Sequence, residues 1–173
     1  PHDHQHLLGR YHKAGAKEIK MAIEAAMDAW QSWSKMPWED RFSIFKKMAS
    51  ILQRHDDQTI NASTMLGQSK NAFQAEVDAS CEMIDFLNFN CWYAQQLYRY
   101  QPTYSPDGMW NRIEHRPLEG FIFAVTPFNF TSIGGNLPAA PALMGNVALW
   151  KPASSAVYSA YFMMELFREA GVP

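Results

Sequence analysis

Two short, unbroken apolar runs constrain this chain more than anything else in it. Phe121 to Val125 reads Phe-Ile-Phe-Ala-Val, and Val147 to Trp150 reads Val-Ala-Leu-Trp. Neither alternates polar with apolar residues, so neither reads as a strand with one face in water. Continuous β-prone runs this short predict strands buried on both faces. Small residues from about Gly134 to Met144 predict a helix between them, and Tyr158 to Ala170 carries an amphipathic helical pattern after them. Strand, helix, strand, helix is the order of a parallel α/β fold. Such sheets place ligands at the carboxyl ends of their strands. Here those ends are Thr126-Pro127-Phe128-Asn129 and Lys151-Pro152-Ala153-Ser154, which makes both loops candidate sites.

The residues before the first run read differently. Ala16 to Tyr100 is helical in pattern, with Ile19, Ile23, Met27 and Trp30 on one face of a first helix. Pro37 suits the first position of a second helix, whose buried stripe is Phe42, Phe45, Met48 or Ala49, and Leu52. A third helix from about Asp56 is expected to stop at Gly67. A fourth, from about Asn71 to Tyr100, is expected to bury Phe73, Val77, Cys81, Ile84 and Cys91. Residues 101–117 carry the turn Ser105-Pro106-Asp107-Gly108, flanked by Tyr104, Trp110 and Ile113, which predicts two short strands around it. The expected organisation is therefore a helical lead-in (1–100), a strand pair (101–117) and a βαβα unit (118–173).

Composition narrows the function classes. The length, 173 residues, is about one domain's worth. Lys plus Arg is 15 against 17 Asp plus Glu, a net charge of −2, so the basic surplus of a nucleic-acid binder is missing. Six Trp and ten Met call for a bulky interior or a large partner surface. Two cysteines make no disulfide framework, which favours a reducing compartment over secretion. No apolar run reaches the ~18 residues of a membrane span, and no signal peptide is visible. The chain opens on Pro1 and ends on the helix-stop Gly171-Val172-Pro173, and it is expected to be a piece of something longer.

Several residues could carry chemistry. His2, His4 and His6 alternate and would share one side of a strand, but no Cys, Asp or Glu cluster completes a metal shell, so no metal is expected. Cys81 and Cys91 fall on the apolar stripe without cationic neighbours, so neither is expected to be a nucleophile. The pair Gly134-Gly135 opens a helix, where backbone N–H groups can meet an anion or where close packing needs the space. Asn129, between Phe128 and Phe130, could donate to a developing oxyanion or cap the next helix. Lys151 at a strand end suits a ribose or phosphate, or is simply solvated. Glu82, mid-helix beside Cys81, sits in a pocket or on a boundary.

Three segments, in this order and at these separations, resemble the aldehyde dehydrogenase superfamily. They are Thr126-Pro127-Phe128-Asn129-Phe130-Thr131, Ala140-Pro141-Ala142-Leu143-Met144-Gly145-Asn146 and Lys151-Pro152-Ala153-Ser154. Ile133-Gly134-Gly135-Asn136, Gln74-Ala75-Glu76-Val77-Asp78, Ile84-Asp85-Phe86 and the opening Pro1-His2-Asp3-His4 are similar to its 1-pyrroline-5-carboxylate (glutamate semialdehyde) dehydrogenase branch. The resemblance covers nearly the whole chain and only the front third or so of such an enzyme. It implies the first βαβα of a Rossmann-like cofactor domain, incomplete here, and a strand pair belonging to the oligomerisation region. It implies oxidation of L-glutamate 5-semialdehyde to L-glutamate with NAD, in proline breakdown, by an enzyme that is a homo-oligomer at full length. It places the parent in a bacterial cytoplasm or a mitochondrial matrix, with a proline dehydrogenase fused upstream in some relatives.

By the same resemblance Asn129 is the oxyanion-hole donor, and Phe130 and Glu82 line the substrate channel. Lys151 bonds the adenosine ribose, with Pro152, Ala153 and Ser154 shaping that pocket, and Thr126, Pro127 and Phe128 offer backbone contacts to the cofactor. Ser154 departs from the glutamate of many members and does not repel a 2′-phosphate, so NADP stays open beside NAD. The family's nucleophilic cysteine and glutamate base lie beyond the matched stretch, so this piece alone is expected to be inactive. Two other readings stand beside this one: a dehydrogenase for a different semialdehyde, and a truncated, non-catalytic dinucleotide- or partner-binding module with an uncovered strand edge.

Overall fold

The computed structural model describes residues 2–173. Pro1, the first residue of the opening motif, lies outside the described residues. The alternating histidines lie on no strand: residues 2–15 form a turn, in which the Gln5 N–H donates to Asp3 Oδ1 (3.0 Å), and an exposed run.

Helix α1 (Ala16–Trp33) opens where the Glu18 carboxylate accepts the Gly15 N–H at 2.9 Å. That bond and the Glu18 backbone N–H hold the Glu18 carboxyl below its ordinary pKa. The expected stripe is there from Ile23 through Met27 and Trp30, all half-buried, to the buried Trp33, but Ile19 at its start is exposed. Pro37 sits at the capping position of α2 (Trp38–Ile51), one residue before the position predicted for it. Phe42, Phe45, Met48, Ala49 and Leu52 are buried as expected.

A π-helical turn (Leu52–Asp56) leads into α3 (Asp57–Gln68). Gly67 lies inside that helix rather than ending it. The chain reverses at Ser69, whose φ of 57° is the left-handed conformation that stops a helix. A Cβ on Gly67 would lie 3.7 Å from the Ser155 carbonyl, an ordinary contact distance, so α3 packs against the segment before the last helix there without needing a glycine.

Asn71 caps the next helix reciprocally. Its side chain accepts the Gln74 N–H (2.9 Å), and the Gln74 side chain accepts the Asn71 N–H (3.1 Å). The helix runs through α4 (Ala72–Ala75), a π-helical turn (Glu76–Cys81) and α5 (Glu82–Arg99). Its buried line is Ala75, Ala79, Met83, Leu87, Cys91 and Ala94. Of the stripe expected, Cys91 is buried and Ile84 half-buried, while Phe73 (77 % exposed), Val77 and Cys81 face outward. Small alanines allow close helix–helix approach against α3 and the helix that follows β1, where a phenylalanine would hold the helices apart.

Residues 101–117 form no strand. Their arms are tied by side chains instead: Gln101 Nε2 donates to the Ile113 carbonyl (3.1 Å), Gln101 Oε1 accepts the Ile113 N–H (2.9 Å), and Asn111 Nδ2 donates to the Tyr104 carbonyl (3.2 Å). Pro102 and Pro106 lack the N–H a continuous ladder needs.

The two apolar runs are the strands β1 (Phe121–Val125) and β2 (Val147–Lys151). They pair in parallel, with Phe121 opposite Val147 and Val125 opposite Lys151. They are not buried on both faces: Phe123 (62 %) and Val125 (56 %) are exposed. Lys151 is the last residue of β2 rather than the first after it. Helix α6 (Thr131–Leu143) joins the strands, and α7 (Val157–Ala170) follows a short 3₁₀ turn (Ser154–Ala156). The α/β class and the βαβα order expected from the sequence are therefore observed.

The core is chiefly helical, built on Trp33, Phe45, Leu52, Met83, Leu143 and Met163. Arg41, 4 % exposed, lies beside it. Its Nε donates to the Leu143 carbonyl at the end of α6 (3.0 Å), and its terminal nitrogens donate to the Met36 carbonyl and to Tyr98 Oη (3.3 Å). It thus satisfies a carbonyl that the end of α6 leaves without a partner and sits favourably at that helix's negative end.

Candidate functional site

The parallel register brings the carboxyl ends of β1 and β2 side by side. Thr126, buried at the end of β1, donates its N–H to the Lys151 carbonyl (3.2 Å), and its Oγ1 accepts the Trp150 indole N–H (2.9 Å). The two loops are therefore stitched together at their bases. Pro127, Phe130, Trp150, Pro152 and Ala156 line a small cavity between them. The Lys151 side chain is exposed and donates to the Pro152 carbonyl (3.4 Å); Pro152 and Ala153 are half-buried, and Ser154 is exposed.

Phe128 and Asn129 project from the first loop. Asn129 does not cap α6. The capping position belongs to Phe130, and no side chain fills it. The Asn129 amide makes no hydrogen bond among the described residues, while its backbone carbonyl accepts one from Lys70 Nζ. The same ammonium stands 4.1 Å from the centroid of the half-buried Phe130 ring and 2.6 Å from Asp78 Oδ2. One residue on, the Thr131 hydroxyl lies in a buried group with Thr64 (2.7 Å), Gln68 Nε2 (2.9 Å) and Ser159 (3.2 Å). Glu82 is half-buried, and its Oε2 accepts the hydroxyl of the buried Ser132 in the first turn of α6. That carboxylate therefore lies at a helix N-terminus, where negative charge is favoured.

The glycine pair resolves as packing. The Gly134 N–H is already used by the Phe130 carbonyl (3.0 Å). A Cβ on Gly135 would stand 3.1 Å from Met163 Cγ and 3.2 Å from Met83 Sδ, so Gly135 lets α6 settle between α5 and α7.

Both thiols are tuned away from nucleophilicity. Burial raises the Cys91 pKa to about 11. Cys81, which is exposed and not on the buried stripe, is also raised, first by partial burial and then by Glu76, whose Oε1 accepts its S–H at 3.6 Å. Among the described residues no three His, Cys, Asp or Glu side chains gather as metal ligands.

Sequence reading brought out the two loops and missed Lys70, which grips the first; Asp78, which holds Lys70, entered only as part of a resembling segment. Lys70 lies 59 residues before Asn129, and nothing in its own short polar turn marks it.

A model of the aldehyde dehydrogenase family matches residues 1–173. The chain belongs to the aldehyde dehydrogenase family. This aldehyde dehydrogenase chain is 52 % identical over 173 residues to the probable delta-1-pyrroline-5-carboxylate dehydrogenase of Schizosaccharomyces pombe, covering 100 % of itself and 32 % of that protein. It is 46 % identical over 173 residues to the mitochondrial delta-1-pyrroline-5-carboxylate dehydrogenase of Homo sapiens, covering 31 % of it. Among solved structures it matches the Mycobacterium tuberculosis delta-pyrroline-5-carboxylate dehydrogenase bound with NAD, with a TM-score of 0.88 and 50 % identity, over 91 % of this chain and 29 % of that one. The chain thus spans about a third of the length of these relatives. The family acts on aldehydes. Among the described residues no helix is long and apolar enough to cross a membrane.

Proposed function

We propose that this chain supplies the N-terminal part of an NAD-dependent dehydrogenase that oxidises L-glutamate 5-semialdehyde, the open form of 1-pyrroline-5-carboxylate, to L-glutamate in proline breakdown. The observation that carries the reading is the Asn129 amide, unpaired among the described residues and exposed in the loop that follows β1, whose last residue, Val125, pairs with Lys151. The substrate class rests on identity of about 50 % to delta-1-pyrroline-5-carboxylate dehydrogenases.

In this reading the carbonyl oxygen gains negative charge when a thiolate attacks the aldehyde. Asn129 Nδ2 donates to that oxygen, and stabilising charge that exists only near the transition state raises kcat rather than affinity. Phe130 packs on the aliphatic part of the aldehyde, and Glu82 borders the channel. The thiolate comes from the rest of the enzyme, since Cys81 and Cys91 are held as thiols.

The two loops offer a dinucleotide an ammonium and a hydroxyl at Lys151 and Ser154 for ribose oxygens; across from them Thr126, whose N–H is already used by Lys151, and Pro127, which has none, offer only carbonyls, and Phe128 also an N–H that is free among the described residues. Pro152 and Ala153 shape the pocket. NAD, when bound there, supplies the hydride acceptor. Ser154 leaves a 2′-phosphate unrepelled, so this residue does not discriminate NAD from NADP.

Residues 1–100 are assigned to the front of the cofactor-binding domain, 118–173 to its first βαβα, and 101–117 to the oligomerisation region of a homo-oligomer. The unladdered arms and the exposed Tyr104 and Trp110 support the last assignment. The parent acts in a bacterial cytoplasm or a mitochondrial matrix. The test is NAD reduction by the full-length enzyme with glutamate semialdehyde. Asn129→Ala lowers kcat by about 10²–10³-fold with KM little changed. Full activity of that variant, or turnover by the 173-residue chain alone that Cys81→Ser abolishes, refutes the reading.

A further inference from the structure

We propose that Lys70, itself held by Asp78, is a positioning residue for the Asn129 amide; the proposal rests on the oxyanion-donor reading of Asn129 and deepens it. The loop between β1 and α6 is anchored at both ends. Thr126 is tied to Lys151 and Trp150, and Thr131 to Thr64, Gln68 and Ser159. Its middle has little of its own to hold it. Pro127 has no N–H to donate, and the side chains of Phe128 and Asn129 are exposed. Lys70 grips this middle at two adjacent points, the Asn129 carbonyl and the face of the Phe130 ring.

The ammonium is well placed to act as a fixed point. Its side chain is only 13 % exposed and that of Asp78 23 %, so the 2.6 Å ion pair is weakly screened by solvent. A carboxylate, a carbonyl and a ring face surround it, three kinds of partner that suit a cation. Pinning the Asn129 carbonyl fixes the peptide plane between Asn129 and Phe130. The Asn129 side chain has two torsions beyond that backbone, so the position of its Cα largely decides where Nδ2 can donate. The helix that carries Asp78 also carries Glu82, which accepts the Ser132 hydroxyl. The same helix therefore supports this stretch twice, at the Asn129–Phe130 peptide through Lys70 and at the start of α6 through Glu82.

A double-mutant cycle on the full-length enzyme tests this. Asn129→Ala loses about 10²–10³-fold in kcat. Lys70→Met loses about 10²-fold in kcat, the effect of a misplaced catalytic group, with KM within about threefold of wild type. The double variant is no slower than Asn129→Ala alone, because Lys70 acts only through the amide already removed. A residue that merely supported the fold would multiply the two losses and shift KM as well.

Asp78→Asn, which keeps Lys70 in place but loosens it, loses kcat by an intermediate factor and carries the cycle if Lys70→Met does not fold. Wild-type kcat in the Lys70 and Asp78 variants, or a double variant showing the product of both losses, overturns the positioning role while leaving Asn129's role intact. Wild-type kcat in Asn129→Ala overturns the oxyanion reading and the positioning role with it.

Discussion

Replacing Gly145 by alanine should cost this protein more than its backbone conformation alone explains. Gly145 turns the chain from α6 into β2 with φ at +89°, which an L-residue enters at a cost of roughly 1–2 kcal/mol. A second, independent cost is steric. The added Cβ would stand 2.7 Å from Pro117 Cγ and 3.2 Å from Arg41 Cζ. Neither neighbour yields easily: Pro117 is a ring, and the Arg41 guanidinium is bonded to Leu143, Met36 and Tyr98. Overpacking of this kind costs about 1–3 kcal/mol, so Gly145→Ala should lose about 2–5 kcal/mol in all. Gly120 is the internal control, since its φ is +95° and a Cβ there meets nothing within 4 Å. Gly120→Ala should therefore lose only the backbone part. Thermal and urea unfolding of both variants give the difference directly, and Pro117→Ala in the Gly145→Ala background should recover part of it. Equal losses at Gly145 and Gly120 would refute the steric half of this reasoning.

Met83→Ala removes a fully buried side chain and should cost about 2–5 kcal/mol, whereas Phe73→Ser should change stability by less than about 0.5 kcal/mol, both by urea unfolding. The opposite order would show that the long helix buries its other face. The Cys91 thiol, raised to about 11 by burial, titrates later in the folded chain than in the unfolded one. Its contribution is complete below the ordinary thiol pKa and is lost as pH rises toward about 11, because unfolding then releases a proton. Cys91→Ala should flatten that alkaline fall in a stability–pH series, and an unchanged slope would assign the fall to other groups.

Much of the architecture is legible from local pattern. The runs Phe121–Val125 and Val147–Trp150 are the two strands, their order with the helices is parallel α/β, and the stripe from Phe42 to Leu52 is buried as its spacing requires. The two strand-end loops were readable because proline, asparagine and lysine interrupt apolar runs there. Periodicity failed in the long helix, since it shows that a face is apolar and not which neighbour covers it. Phe73 and Val77 are apolar yet exposed, because Ala75 and Ala79 offer the closer approach to α3 and α6. It failed at Gly67 because the left-handed residue that stops this helix is Ser69, two positions later, and a serine does not signal a helix stop in sequence as a glycine does.

The sequence by itself determined the parallel strand pair, the order of the helices, the loops that leave those strands after Val125 and Lys151, and the resemblance that names the family, but it also predicted a strand pair in 101–117 that the chain does not form. Only the tertiary structure decided that Asn129 leaves its amide free instead of capping α6, and that Lys70, in the turn before α4 and held by Asp78, grips its peptide. Local structure follows from neighbours a few residues apart, which a sequence displays. A hydrogen bond between residues 70 and 129 exists only once the core has brought two distant segments together, and no local pattern encodes it.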